Sequence, residues 1–390
     1  MPSVLLLAAV TLLAVARFSV QPARRYRTWL VALIATELGH FWSLPALGLS
    51  VWAGRFAIRQ NSAAAFAAAS LAALAALLFA RPSWSAWRLH RSLTRELETT
   101  FGKIAPQPPL WSWLRLWRWP FAVRHGRVLP YMVGPDLPLD FYPAQNLSPF
   151  PHSGAPCVVL VHGGGWDSGD RTQLADFNHW LAARGVAVAA ISYRLAPAHP
   201  WPAQSDDLRQ AVDWVRSHAT DLGIDPERLT LVGRSAGGQI AAATAYGSPL
   251  PGVRAVVALY AVHDLNFVWS IRSATDSLNS DKLMHQYLGG GPEGRKELYR
   301  SGSAEQLARL DVPPTLLMHG ALDQLVWCRH SERLAAALRS AGAPHVFARL
   351  PWATHAGEAG LHGPSGQLIT GAVLRVALGQ SPARAPLSGP

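Results

Sequence analysis

Cysteine, lysine and charge are scarce in this 390-residue chain. Its two cysteines are Cys157, heading a strand-like run, and Cys328, in a loop or helix start. Two isolated thiols provide neither a disulfide framework nor a metal cluster. Lysine occurs only at 103, 282 and 296, so the formal charge of +11 is carried by arginine and reflects a compositional bias. Only 15% of the residues are charged, and the mean hydropathy is +0.11. Proteins that bind nucleic acid through phosphate neutralisation are rarely so apolar, and no nucleic-acid partner is expected. A P-loop, a dinucleotide-binding fingerprint, a zinc-ligand spacing and an EF-hand loop are also missing, so no cofactor or metal is expected. Basic and apolar together fit a membrane protein whose arginines flank its spans.

The apolar residues gather in the first 81 positions, where three runs stand out. Val4–Ala16, inside a helix expected near 3–20, is nearly all apolar. No basic residue precedes it and no small-residue cleavage site follows, so a short membrane helix fits better than a signal peptide. Arg17 would snorkel to the interface. The second run, 29–52, carries Glu37 and His40. A charge at mid-span costs roughly 2.5–3.5 kcal/mol. Three apart, the two share a helix face and are expected to point into a helix bundle, with Pro45 kinking the helix. The third run, 63–80, is charge-free and long enough to span.

Arginines 17, 24, 25 and 27 lie between the first and second runs, and 81, 88, 91 and 95 follow the third. The positive-inside rule then puts the N-terminus outside and everything after Ala80 in the cytoplasm. The expectation is a multi-pass protein of the plasma or inner membrane, with two or three spans over 1–81 and lipid as a partner. Residues 82–125 read as a linker. Ser83–Thr100 has helical character, Pro106, Pro108 and Pro109 break it, and tryptophans at 111, 113, 117 and 119 alternate with Arg115 and Arg118. Such a segment suits the headgroup layer; equally, its indoles can pack under the next domain.

From Tyr131 the pattern changes to alternating strands and helices, the mark of a mostly parallel sheet covered on both faces. Strands are expected at 157–161, 186–192, 229–232, 253–259, 315–318 and 346–350. Helices are expected at 205–218, 331–341 and 366–378. Leu208, Val212 and Val215 recur at helical spacing in the first of these. Residues 265–310 interrupt the alternation and are expected to cap the sheet edge where α/β sites lie. The tail 381–390 reads as disordered.

One strand, 229–232, runs into Gly233-Arg234-Ser235-Ala236-Gly237 and then a helix start. This strand–turn–helix context is what a nucleophile elbow requires. Its bland alternative is a glycine-bounded turn with a helix-capping serine. Upstream, another strand enters His162-Gly163-Gly164-Gly165-Trp166.

In sequence and spacing these pieces resemble the α/β-hydrolase fold, and more narrowly its HGGG-type esterase/lipase branch, which includes hormone-sensitive-lipase-like and BD-FAE-type hydrolases. The resemblance covers roughly 126–380. It rests on His162–Trp166 continuing to Gly169-Asp170, on Tyr193-Arg-Leu-Ala-Pro197, on the Asp206-Asp207 helix, on Gly233–Gly237, and on His319-Gly320 with Asp323 and Val326. The N-terminal spans are not general in that branch, although three-span members exist.

The resemblance implies ester hydrolysis of a small-molecule substrate. A serine hydroxyl needs a base, and the base a third group to hold it. Ser235 is the candidate nucleophile. Asp323, after the 315–318 strand, is the candidate acid, with Asp264 its rival. His355, after the last strand, is the candidate base, with His362 its rival. His330 and His345 read as ordinary surface histidines, and His162 as shaping its glycine loop. The backbone N–H groups of Gly164, Gly165 and Ala236 are the expected oxyanion donors. The same triad would serve an amide or formamide hydrolase, and a non-catalytic membrane scaffold on this fold is the reading from another class.

Overall fold

The computed structural model describes residues 1–103, 109–118, 126–135, 137–145 and 154–379. The N-terminal helices are α1 (Pro2–Ala16), α2 (Tyr26–Glu37), α3 (Gly39–Gln60) and α4 (Ala63–Phe101). Asn61, in the left-handed conformation its short amide tolerates, ends α3, and the Ser62 hydroxyl accepts the Ala65 amide to start α4. The seams between α1, α3 and α4 are made of alanine: Ala9, Ala53, Ala57, Ala65, Ala68 and Ala72 are fully buried. Small residues let the backbones of apolar helices approach closely. Two stretches, Pro2–Ser19 and α4, are long and apolar enough to cross a membrane; a third crossing requires counting α2 and α3 as one broken span.

That break departs from the sequence expectation. The second apolar run is not one helix kinked at Pro45. The chain bends by 78° at Leu38, and α3 passes through Pro45. Glu37 points at the domain that follows and His40 at the segment that leads to it, not into a bundle of spans. Glu37 Oε2 accepts the Ser365 amide at 2.9 Å, and His40 Nε2 lies 2.8 Å from the Leu116 carbonyl. The physical reason is satisfaction: a buried carboxyl group needs donors, and the backbone amides of Ser365 and Gly366 supply them. The third run also continues. Helix α4 carries Pro82 in its interior and packs Leu93, Leu97 and Phe101 on the next domain. Much of the expected linker is therefore helix. Pro106, Pro108, Trp119 and the tail 381–390 lie outside the described residues. Of the remaining tryptophans, Trp111 is buried while Trp113 and Trp117 are exposed.

After the turn α5 (Trp113–Leu116) the chain builds strands β1 (Leu129–Met132), β2 (Pro138–Tyr142) and β3 (Ala155–Val161). Helix α6 (Ala175–Ala182), β4 (Ala187–Ile191), helices α7 (Ala203–Ser217) and α8 (Ala219–Leu222), and β5 (Ile224–Arg234) follow. Then come α9 (Ala236–Gly247), β6 (Val253–Leu259), three short helices α10 (Leu265–Ile271), α11 (Ser280–Leu288) and α12 (Lys296–Ser301), β7 (Thr315–Gly320), α13 (Arg329–Ser340), β8 (His345–Leu350) and α14 (Pro364–Leu378). The eight strands form one sheet in the order β1-β2-β4-β3-β5-β6-β7-β8. Only the β1–β2 and β2–β4 pairings are antiparallel. This is the α/β-hydrolase fold.

The central strands are buried on both faces, as their unbroken Val, Leu and Ala runs require. One face is covered by α7 and α9. The other is covered by α6, α14 and the second half of α4. The first two strands carried no clear sequence signal, being short, with β1 at the sheet edge.

Candidate active site

Strand β5 delivers Ser235 and α9 leaves from it. Between them Ser235 adopts φ 50°, ψ −120°, a strained conformation for a residue with a side chain. The turn is tolerated because its neighbours lack side chains. A Cβ on Gly237 would lie 2.3 Å from the carbonyl oxygens of both Val161 and His162. The elbow is thus pressed against the end of β3, where the glycine loop begins.

That loop turns through left-handed backbone at Gly164 (φ +128°), Gly165 (φ +59°) and Trp166 (φ +67°). A Cβ on Gly164 would meet the Ser168 carbonyl at 2.0 Å. The Gln173 side chain accepts the Gly163 amide at 3.0 Å, and Trp166 Nε1 donates to Gln239 Oε1 at 2.8 Å. Trp166 also stacks on Tyr287 of α11 with ring centroids 4.3 Å apart. His162 shapes this loop as expected: its Nδ1 lies 2.7 Å from the Gly163 carbonyl and its ring stacks on Tyr193. The Gly164 and Gly165 amides have no acceptor among the described residues, and the Ala236 amide, in the first turn of α9, precedes any intrahelical partner. All three line one cavity with Ser235.

His355, from the loop after β8, lines the same cavity. Its Nδ1 bonds Asp323 Oδ2 at 2.7 Å. Asp323 is fully buried in the loop after β7, and its Oδ1 accepts the Leu325 and Val326 amides at 2.9 and 3.0 Å. Burial alone would raise the Asp323 pKa. The facing His355 and His319 outweigh burial and hold it well below the usual carboxylate range. An ionised Asp323 can only accept, so His355 Nδ1 donates, and a neutral ring then keeps its lone pair on Nε2.

The rivals are placed elsewhere. Asp264 caps α10 and pairs with Arg333 at 2.8 Å. His362 does not line the cavity, and burial followed by the charge of Arg115 pushes its pKa down to about 4. His330 is not the surface histidine expected: it is buried and lines the cavity, where burial and then His319 push its pKa down to about 3.

Sequence reasoning missed two groups. Arg234, beside the serine, is fully buried and pairs with buried Glu358 at 3.1 Å; Glu358 also receives the Tyr260 hydroxyl. The Tyr260 ring packs edge-on to His355 with centroids 4.4 Å apart. The second group is Tyr26, Trp29 and Leu33 of α2, which line the cavity. No local signal marks either, because the partners are distant in the chain. The cavity encloses about 650 Å³ and is roofed by α10 and α11. Among the described residues no group of three or more His, Cys, Asp or Glu is placed to hold a metal ion.

Residues 139–338 match the family model BD-FAE. Esterase LipQ of Mycobacterium tuberculosis is 28% identical over 312 residues, 70% of this chain and 71% of the relative. Esterase LipC of the same organism is 30% identical over 263 residues, 64% of this chain and 62% of the relative. Among solved structures a bacterial heroin esterase superposes with a TM-score of 0.56 at 25% identity, covering 65% of this chain and 84% of that one.

Proposed function

The chain belongs to the BD-FAE family, and we propose that it is a serine hydrolase that cleaves carboxylic esters through an acyl-enzyme while held at a membrane by its N-terminal helices. Ser235 attacks the ester carbonyl. His355 takes its proton and later returns one to the leaving alcohol. Asp323 fixes the imidazole and stabilises the imidazolium. The amides of Gly164, Gly165 and Ala236 receive the oxyanion, each such donor being worth about 10²–10³ in rate. Water then frees the acid from Ser235.

The observation that carries this reading is the convergence of three distant loops on one cavity: the strained serine turn, the open-amide glycine loop, and a histidine bonded through Nδ1 to a buried carboxylate. The esterase names of LipQ, LipC and the heroin esterase support it. A fluorophosphonate probe is expected to label the purified protein stoichiometrically, with the adduct mapped to Ser235 by peptide mass spectrometry. A probe that leaves Ser235 unmodified would sink the catalytic reading in favour of a scaffold.

Residues 1–81 form the membrane region in this reading, with α1, the broken α2–α3 pair and the first half of α4 crossing, and residues 126–380 the hydrolase domain with its cap at 265–310. The arginines at 24, 25, 27, 88, 91 and 95 put the hydrolase domain in the cytoplasm. A C-terminal reporter that is active only in the cytoplasm is expected to give signal. Signal from a reporter active only outside reverses the topology.

A further inference from the structure

Helix α2 reads in sequence as the start of a membrane span, yet it is built into the candidate active site. Tyr26, Trp29 and Leu33 follow helical spacing and share the face that lines the cavity. Three contacts fix that face. At its entry, the Ser277 hydroxyl of the cap donates to the Arg24 carbonyl at 3.3 Å. In the middle, Trp29 Nε1 donates to the carbonyl of His355 at 3.2 Å. At its end, Glu37 Oε2 accepts the amides of Ser365 and Gly366, at 2.9 and 3.4 Å, in the first turn of α14. The helix therefore touches the cap, the candidate base loop and the helix that follows that loop.

The flank of α2 beside that face is apolar and open, with Leu30 47% and Ile34 45% exposed, while Ala32 and Ala35 behind it are buried against the other N-terminal helices. The 78° bend to α3 gives this exposure a direction. With α2 and α3 together forming one broken span, α2 runs at 78° to α3, and its Leu30–Ile34 flank lies on lipid beside the face that lines the cavity. Across the cavity stand Val268, Ile271 and Leu283 of the cap.

We propose that α2 is the wall against which the apolar chain of the substrate lies, so that the membrane-proximal helix sets the chain length the enzyme accepts. This rests on the esterase reading and names its substrate class: an ester with a long apolar chain, drawn from the lipid phase past α2. Leu33 has no polar role and projects into the cavity, which makes it the residue to vary.

The test uses the full chain in detergent micelles, with Leu33→Trp and Leu33→Ala beside wild type. One substrate pair, p-nitrophenyl acetate and p-nitrophenyl decanoate, places the chain on the acyl side. A second pair, ethyl acetate and decyl acetate followed by pH-stat, places it on the alcohol side. Each buried methylene is worth about fourfold in kcat/KM. A tryptophan that displaces two or more methylenes is therefore expected to lower the long-to-short ratio by at least about tenfold in one of the pairs. Leu33→Ala is expected to raise that ratio, and it decides the matter alone if Leu33→Trp fails to fold. Ratios within about twofold of wild type in both pairs, with ester turnover intact, overturn the α2 wall and leave the esterase reading standing. A folded wild type that hydrolyses none of the four esters overturns both.

Discussion

Ser235→Ala is expected to lower kcat for p-nitrophenyl butyrate by at least about 10³ while leaving the thermal unfolding midpoint nearly unchanged. The two halves of that expectation come from different observations. Among the described residues the Ser235 hydroxyl makes no hydrogen bond; the neighbouring contacts at this position use its backbone, whose amide donates to the Leu259 carbonyl and whose carbonyl accepts from Gly238. Alanine keeps both, so no buried partner is orphaned. The positive φ of 50° persists because alanine carries the same Cβ. Stability is therefore a poor reporter of this change and catalysis a clean one. Losing the nucleophile ends covalent catalysis, and what remains is the positioning and oxyanion stabilisation of Gly164, Gly165 and Ala236 acting on water. Equal rates for wild type and Ser235→Ala would remove the serine from the chemistry altogether.

The parts of this architecture that were legible in sequence are those with local causes. Val253–Leu259 reads as a strand because it is a short β-branched and apolar run, and it forms β6 over those same residues. The elbow at Ser235 and the loop at Gly164 are legible because backbone crowding there admits only glycine. The parts that were not legible have causes far along the chain. The run from 29 to 52 has only a lone glycine, Gly39, beside the break at Leu38, which by itself does not announce that α2 leaves the direction of α3. The break is sustained by Glu37 reaching amides at Ser365 and Gly366, a pairing the apolar pattern does not encode. Arg234 is similar. The elbow motif names the residue but no partner for it: Glu358 comes from the loop that carries His355, and both are buried. A buried pair of this kind costs desolvation, and single removal leaves an uncompensated charge. Its place between the serine turn and the histidine loop shows how two distant loops are held in register.

Asp323→Asn is expected to cost about 10⁴ in kcat, and the hydrogen bonds around Asp323 explain why so small a change should cost so much. Oδ1 accepts the Leu325 and Val326 amides, so the position facing those N–H groups must remain an oxygen. The asparagine amide therefore has one orientation, with its NH₂ where Oδ2 meets His355 Nδ1 at 2.7 Å. A donor there repels the Nδ1 proton, and the neutral ring responds by moving that proton to Nε2. The tautomer that served as a base becomes one with no lone pair to offer the serine. The loss should fall on kcat with KM little altered, since Asp323 is fully buried and outside the cavity wall. Fluorophosphonate labelling of Ser235 should slow in proportion, because acylation of the serine needs the same base. A variant that keeps kcat within tenfold of wild type would show that Asp323 does not govern the tautomer of His355, and would send the search for the acid back to Asp264.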